Sequence, residues 1–134
     1  MRVGFEALAW GRHINDYRDA WEVVRRANHP AIGLVLDSFH TFARKTDLTP
    51  MRAIPGDRIF LVQLADAPWL EMDVLNWSRH FRCFPGQGDM PLLDFMEPNQ
   101  TTEQAALVKE LERSARAEQR LRKMALDYAK SRKT

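Results

Sequence analysis

The sequence contains a single cysteine, Cys83, so an internal disulfide framework is excluded, and we expect a packed or idle thiol in a reducing cytoplasm. It also lacks any apolar run near the ~20 residues that a membrane helix needs. The amino-terminal residues reach Glu6 too early to form a signal-peptide core. We therefore expect no membrane partner, and a chain of 134 residues suits one small domain.

A strong charge of one sign is also missing, because 20 Lys/Arg against 18 Asp/Glu leave a net charge of +2. Residues 101–134 hold nine Lys/Arg and five Asp/Glu, which gives +4 there and leaves −2 for residues 1–100. A basic tail can attract nucleic acid, but here the signs alternate along a helical pattern. We expect a solvated helix face and no nucleic-acid partner. Residues 101–131 also lack Gly and Pro, and the leucine spacing predicts one long helix there.

Three short apolar runs, at residues 3–8, 32–37 and 58–66, predict buried strands. Between the first two, an amphipathic pattern predicts a helix over residues 16–28 with Asn15 as its N-cap. Ser38 could cap a short helix that continues through residue 42, whereas residues 67–90 are expected to be irregular. The alternation of strand and helix predicts parallel β-α-β units, an α/β fold.

Each apolar run carries one oxygen-bearing side chain at or near its carboxyl end: Glu6, Asp37 and Gln63. The carboxyl ends of parallel strands in a barrel open onto one face, where two carboxylates and an amide would be costly to bury without a partner. A divalent cation such as Mg, Mn or Co is a suitable partner for oxygen ligands. In the alternative interpretation, Glu6 pairs with an arginine and Gln63 bonds to the backbone.

Three further residues are candidates for chemistry. His40 follows Asp37 by three residues and could be a metal ligand, a general acid/base or a structural histidine. Ser78 and Arg82 are four residues apart and would share a face if that segment were helical. Arg82 could then bind a carboxylated small-molecule substrate through a bidentate pair.

The strings FEALAWGRHIN, LVLDSFHTFA, IFLVQLADAP and LNWSRHFRCFPGQGD resemble the 3-dehydroshikimate dehydratases. These are bacterial members of the xylose isomerase-like, or sugar phosphate isomerase/epimerase, barrel superfamily, and some are fused to a 4-hydroxyphenylpyruvate-dioxygenase-like domain. The resemblance covers about residues 3–95. It implies a partial TIM-type (β/α) barrel of about three parallel strands over residues 1–98, followed by a charged helical tail over residues 99–134.

The resemblance also implies roles for individual residues. Glu6, Asp37 and Gln63 match three of the family's four metal-ligand positions. His40 matches the catalytic acid/base, and Ser78 and Arg82 match substrate contacts. The family removes water from 3-dehydroshikimate to give protocatechuate, a step of aromatic catabolism.

The chain departs from the family pattern after Pro98, because no strand-like run follows that could end in a fourth ligand glutamate. The amino-terminal half of the roughly 250-residue barrel has no counterpart either. We therefore expect weak metal binding and slow or no turnover by this chain alone, with a homo-oligomer or a partner chain as candidates for completing the barrel. The alternatives are a sugar phosphate isomerase or epimerase and a non-catalytic barrel remnant. DNA-repair endonucleases of the superfamily use histidine-rich metal sets, and four histidines disfavour them.

Overall fold

The computed structural model describes residues 1–96 and, beyond them, the single positions 113, 120, 123 and 124. The long helix predicted over residues 101–131, and with it the tail assigned to residues 99–134, therefore lies almost wholly outside the described residues. Within the described part, no helix combines the length and the apolar character needed to cross a bilayer.

The described residues form a three-stranded parallel sheet in which the strands stand side by side in chain order, with helices following the strands. This confirms the predicted α/β arrangement of three parallel strands with helices. The elements in chain order are β1 Val3–Glu6, α1 Tyr17–Ala27, β2 Ile32–Asp37, α2 Ser38–Ala43, the 3₁₀ helices Thr49–Ala53 and Gly56–Arg58, β3 Ile59–Gln63, α3 Val74–Phe81 and α4 Leu92–Met96.

Helix α1 begins one residue later than predicted. Asp16, not Asn15, is the N-cap, because its carboxylate accepts a hydrogen bond from the Arg18 backbone N–H at 2.8 Å. Asn15 instead donates its amide to the Gly11 carbonyl at 2.9 Å. The helix ends at Ala27, one residue before the predicted end, and Asn28 closes it in a left-handed conformation with φ 41°.

Two further elements differ from expectation. The N-cap of α2 is Asp37, whose side chain accepts from the His40 backbone N–H at 3.3 Å, and Ser38 lies inside the helix. Helix α3 occupies part of the segment predicted to be irregular. Its N-cap is Asp73, whose carboxylate accepts a hydrogen bond from the Asn76 backbone N–H at 2.9 Å. With only eight residues, α3 is too short to give a clear periodic pattern.

The sheet has one covered face and one open face. Leu34 and Leu36 of β2 are fully buried in the same core as Val24 of α1. The other face is less covered than the apolar sequence of β3 predicts, because Leu61 is 49% exposed. The prediction of a buried strand is therefore wrong for β3, whose residues are half-buried or exposed.

Arg58 joins three segments on the amino-terminal side of the sheet. Its guanidinium Nη2 donates to the carbonyl oxygens of Val24, His29 and Ile32 at 3.4, 3.3 and 3.2 Å. We expect Arg58→Met to lower the free energy of unfolding by about 1 kcal/mol, because it removes a charged donor and keeps the aliphatic stem. Urea unfolding would measure this, with the exposed Arg44→Met as the control. Equal stability of the two variants would contradict the linking role.

Candidate active site

The carboxyl ends of the three strands carry the predicted polar residues. Glu6, Asp37 and Gln63 are the last residues of β1, β2 and β3. The register aligns Asp37 with Gln63 and aligns Glu6 with Val35, which lies two residues before Asp37. Side chains alternate along a strand, so all three lie on the same face of the sheet. The same face carries the exposed Leu61, two residues before Gln63.

Glu6, Asp37 and His40 form a compact group at this edge. One potential ligand atom from each lies within 4.8 Å of the other two. The His40 Nε2 atom is 3.9 Å from Oε1 of Glu6, the Asp37 side chain is fully buried, and His40 is 5% exposed. Because Asp37 caps α2 through the His40 N–H, the three-residue spacing places the imidazole in the first turn beside the carboxylate.

Arg82 reaches this group from outside the sheet. Its guanidinium Nη2 forms an ion pair with Oδ2 of Asp37, and its Cζ lies 5.3 Å from the centroid of the Phe39 ring. Helix α3 ends at Phe81, and Arg82 is extended, with φ −67° and ψ 139°. Arg82 therefore does not share a helix face with the buried Ser78, as the four-residue spacing had suggested, and approaches Asp37 from the following loop.

The charges of the group are set largely by burial. Burial raises the pKa of Glu6 above its ordinary value, and the neighbouring Asp37 raises it further while Arg82 opposes the shift. Burial lowers the pKa of His40; Asp37 opposes this shift and Arg82 reinforces it. His40 is therefore a neutral imidazole near pH 7, able to accept a proton or bind a metal. Its buried Nδ1 has no hydrogen-bond partner among the described residues.

Aromatic rings enclose the His40 imidazole. The Trp10 ring meets it edge-on, with centroids 4.8 Å apart and planes at 81°, and the Phe39 ring does so at 5.7 Å and 83°. Phe39 in turn packs against Trp77 of α3 at 5.0 Å. Nothing in the spacing of the sequence indicates Trp10, which follows β1 in a turn and meets His40 only in the folded chain.

Cys83 lies beside the site without the properties of a nucleophile. Burial raises the pKa of its thiol, and the carboxylates of Asp66 and Asp89 raise it further. The thiol is therefore protonated near neutral pH. The free, partly buried cysteine agrees with the expected packed thiol.

The donor set fits a divalent cation. Two carboxylates and an imidazole converge within 4.8 Å, with the amide of Gln63 on the same face at the level of Asp37. Oxygen and imidazole ligands together suit Mg, Mn, Co or Zn, and the unpartnered Nδ1 shows that the described residues do not saturate His40.

Comparison with known proteins gives consistent matches. The family described as xylose isomerase-like TIM barrel matches residues 1–126. The 3-dehydroshikimate dehydratase of Pseudomonas putida is 62% identical over 98 residues, which is 73% of this chain and 15% of that protein. A solved xylose isomerase-like TIM barrel/4-hydroxyphenylpyruvate dioxygenase fusion protein matches with a TM-score of 0.73 and 62% identity, over 74% of this chain and 16% of its own.

A second solved structure is more distant. It is the IOLI protein with a binding zinc atom, and it matches with a TM-score of 0.57 and 28% identity, over 64% of this chain and 30% of its own. In each of these comparisons the chain spans less than a third of the length of the protein it matches.

Proposed function

The chain belongs to the xylose isomerase-like TIM barrel family, and on this premise we propose that it carries part of the active site of a metal-dependent lyase that converts 3-dehydroshikimate to protocatechuate. The observation that carries the proposal is the group of Glu6, Asp37 and His40 at one sheet edge, with Arg82 paired to it. The 62% identity to a 3-dehydroshikimate dehydratase supports the same reaction, a step of aromatic catabolism.

We assign the metal to Glu6, Asp37 and Gln63, with Mg, Mn or Co as the candidate ions. Bound there, a divalent cation would polarise the substrate ketone and stabilise the negative charge formed when the adjacent proton leaves. The zinc atom in the related structure supports a divalent ion without selecting one of them. His40 could replace Gln63 as a ligand, and a metal titration of His40→Ala separates the two assignments.

The remaining residues act on the substrate itself. His40, neutral near pH 7, accepts the proton next to the ketone and returns a proton to the departing hydroxyl. Arg82 uses Nη2 on Asp37, and its other guanidinium N–H groups are available to the substrate carboxylate. The Ser78 hydroxyl donates a hydrogen bond to the substrate, and the Trp10 ring shields the His40 imidazole from water.

An isomerase or epimerase acting on a neutral sugar is the second candidate within the family. Its metal site would be similar, but it would have no carboxylate for Arg82 to bind. A cation already directed at the site therefore favours the carboxylated substrate. A non-catalytic remnant is the candidate from another class.

We also propose that another chain completes the barrel, either a second copy or a partner that carries further strands. The exposure of Leu61 on the face that carries the site supports this, because in a closed barrel that position faces the interior. Light scattering of the purified chain measures whether a homo-oligomer forms.

The test of function combines metal binding, ligand binding and turnover. We expect the purified chain to bind one Mn²⁺ weakly, to bind protocatechuate more tightly with Mg²⁺ than with EDTA, and to form protocatechuate from 3-dehydroshikimate slowly or not at all. Calorimetry and protocatechuate absorbance measure these quantities. Rapid turnover would refute the expected incompleteness. Metal-dependent binding of a neutral sugar in preference to protocatechuate would favour the isomerase, and a metal-free chain that binds neither would favour the remnant.

Glu6→Gln is expected to act in opposite directions on stability and on metal binding. A carboxyl whose pKa is raised by folding stabilises the fold when protonated, and this stabilisation is lost as the pH rises through the raised pKa. The glutamine resembles the protonated form, so at pH 7.5 with EDTA we expect a gain of about 0.5–1 kcal/mol, kept small by the 28% exposure of the side chain. The gain should vanish at pH 4.

For the parent chain, Mn²⁺ affinity should fall as the pH is lowered toward the raised pKa of Glu6, and Glu6→Gln should bind Mn²⁺ more weakly throughout. Thermal melts and calorimetry measure the two effects. The exposed Glu71→Gln is the matched control. If the Glu6→Gln variant is less stable than the parent chain in the absence of metal, Glu6 makes a structural contact and its position does not serve metal binding.

A further inference from the structure

Asp66 is a buried carboxylate outside the group described above. It is 1% exposed and accepts four backbone N–H groups: Ala67 at 2.8 Å, Gly86 at 2.9 Å, and Gly88 and Met90 at 3.0 Å. Hydrogen bonds to an ionised acceptor are the stronger kind. One side chain therefore binds the loop that follows Cys83 at three positions.

The two glycines of the Pro85–Asp89 string make this arrangement possible. Gly86 has a positive φ of 82°, a conformation that costs other residues energy. A Cβ on Gly88 would lie 2.5 Å from the Ala67 carbonyl carbon and 2.5 Å from Oδ1 of Asp66. The loop backbone can approach the carboxylate only because this position is glycine.

The backbone of Asp66 connects the same loop to the metal-ligand candidates. Asp66 and Cys83 exchange two hydrogen bonds, N–H to O at 3.0 and 2.8 Å. Cys83 directly follows Arg82, whose guanidinium pairs with Asp37. On the other side, the Ser38 hydroxyl, next to Asp37, donates to the carbonyl of Ala65 at 2.7 Å and accepts from its N–H at 2.9 Å. A closed series of contacts therefore links the segments that follow β2 and β3. It leads from Asp37 and Ser38 to Ala65 and Asp66, and from Asp66 through Cys83 and Arg82 back to Asp37.

We propose that Asp66 is a positioning residue for Arg82: by gathering the loop N–H groups, its carboxylate fixes the chain at Cys83 so that the Arg82 guanidinium faces Asp37. Without it, the Asp66–Cys83 bridge would be an isolated pair of hydrogen bonds beside an exposed Phe84. The placement of Arg82 rests on the geometry alone. Its consequence for a substrate carboxylate rests on the function proposed above.

The experiment follows the Arg82 guanidinium by ¹⁵N NMR of the full chain, its signal assigned by its loss in Arg82→Lys. In the parent chain we expect separate Nη resonances, because the ion pair slows rotation about the Cζ–Nη bonds. In Asp66→Asn, whose amide cannot accept the same four N–H groups, we expect them to merge while the backbone spectrum stays dispersed. Asp89→Asn, the same change at an exposed position of the same loop, should leave them separate.

A second variant covers the case in which Asp66→Asn does not fold. Gly88→Ala keeps the Asp66 side chain but forces the loop away from it, and it should also merge the Arg82 signals. Separate Arg82 signals in a folded Asp66→Asn or Gly88→Ala chain would overturn the proposal. Merged signals in the parent chain would do the same.

Protocatechuate affinity provides a second measurement, which would not change if Asp66 only stabilised the fold. With Mg²⁺ present, we expect Asp66→Asn to weaken protocatechuate binding about tenfold, or ~1.4 kcal/mol. In an Arg82→Ala background it should cause no further loss, because the two residues act in series. An equal loss in both backgrounds would show that Asp66 acts independently of Arg82. If the parent chain binds no protocatechuate while the NMR result holds, the positioning stands and the proposed function fails.

Discussion

Replacing Asp37 with asparagine is expected to weaken Mn²⁺ binding by about 100-fold or more. Loss of a residue that only supports a ligand typically costs roughly 10–100-fold in metal affinity, so loss of a direct ligand should cost at least the upper part of that range. Asp37 is also the residue on which the site converges: its side chain is fully buried, lies within 4.8 Å of Glu6 and His40, and pairs with Arg82. Calorimetric titration with Mn²⁺ measures the loss.

The control for this variant is Asp57→Asn, the same substitution at an exposed position of a 3₁₀ helix. Because Asp37→Asn also leaves the Arg82 guanidinium without its anionic partner, its unfolding free energy must be measured alongside. If the Asp37→Asn chain folds and its affinity for Mn²⁺ stays within threefold of that of the parent, Asp37 is not a metal ligand. If Asp37→Asn does not fold, it gives information on stability alone. The Mn²⁺ titration is then made with the milder substitution Asp37→Glu.

The role of Asp37 shows how much of this site local sequence could predict. A buried parallel strand ends at Asp37, and a helix begins in the next residue, so one residue serves both as strand terminus and as N-cap. Both features depend on near neighbours in the chain, although the sequence indicated Ser38, one residue later, as the cap. The spacing to His40 follows from them as well, because the third residue of a capped helix lies beside its cap. The three parallel strands were predictable for the same reason.

Other parts of the site depend on contacts that no local pattern contains. Arg82 meets Asp37 across 45 residues of chain, and the bridge between Asp66 and Cys83 joins two distant segments directly beside it. The spacing to Ser78 suggested a shared helix face, but α3 ends one residue before Arg82. Asp66 has no periodic or spacing signal either, since its partners are backbone N–H groups. The glycines of the Pro85–Asp89 string were the visible trace of that arrangement, and they could equally have marked a surface turn.

The ion pair between Arg82 and Asp37 connects the two binding roles proposed for the site, metal binding and binding of the substrate carboxylate. A metal ion and the guanidinium are both cations that approach the same buried carboxylate, so each reduces the attraction for the other. A substrate carboxylate has the opposite effect, because its negative charge offsets the positive charge of the guanidinium that remains on Asp37. Metal and carboxylated ligand are therefore expected to bind with positive coupling, and Arg82 is the residue through which that coupling passes.

Arg82→Ala is accordingly expected to change the two affinities in opposite directions. Mn²⁺ binding should strengthen several-fold, because Asp37 loses a competing cation. Protocatechuate binding in the presence of Mg²⁺ should weaken roughly 10- to 100-fold, since a charge-assisted pair contributes about 1.5–3 kcal/mol. Calorimetry with each ligand measures both shifts on one preparation.

Arg79→Ala is the matched control for this variant, because Arg79 lies three residues earlier on α3 and is exposed. It should leave both affinities close to those of the parent. Arg82→Lys tests the geometry of the contact: it retains the charge but not the planar pair of donors, so it should recover little of the lost protocatechuate affinity. Weakening of both ligands by Arg82→Ala in a folded chain would show that Arg82 only supports the structure. Unchanged protocatechuate binding would mean that the carboxylate is held by another residue, and the case against a neutral sugar substrate would lose its main support.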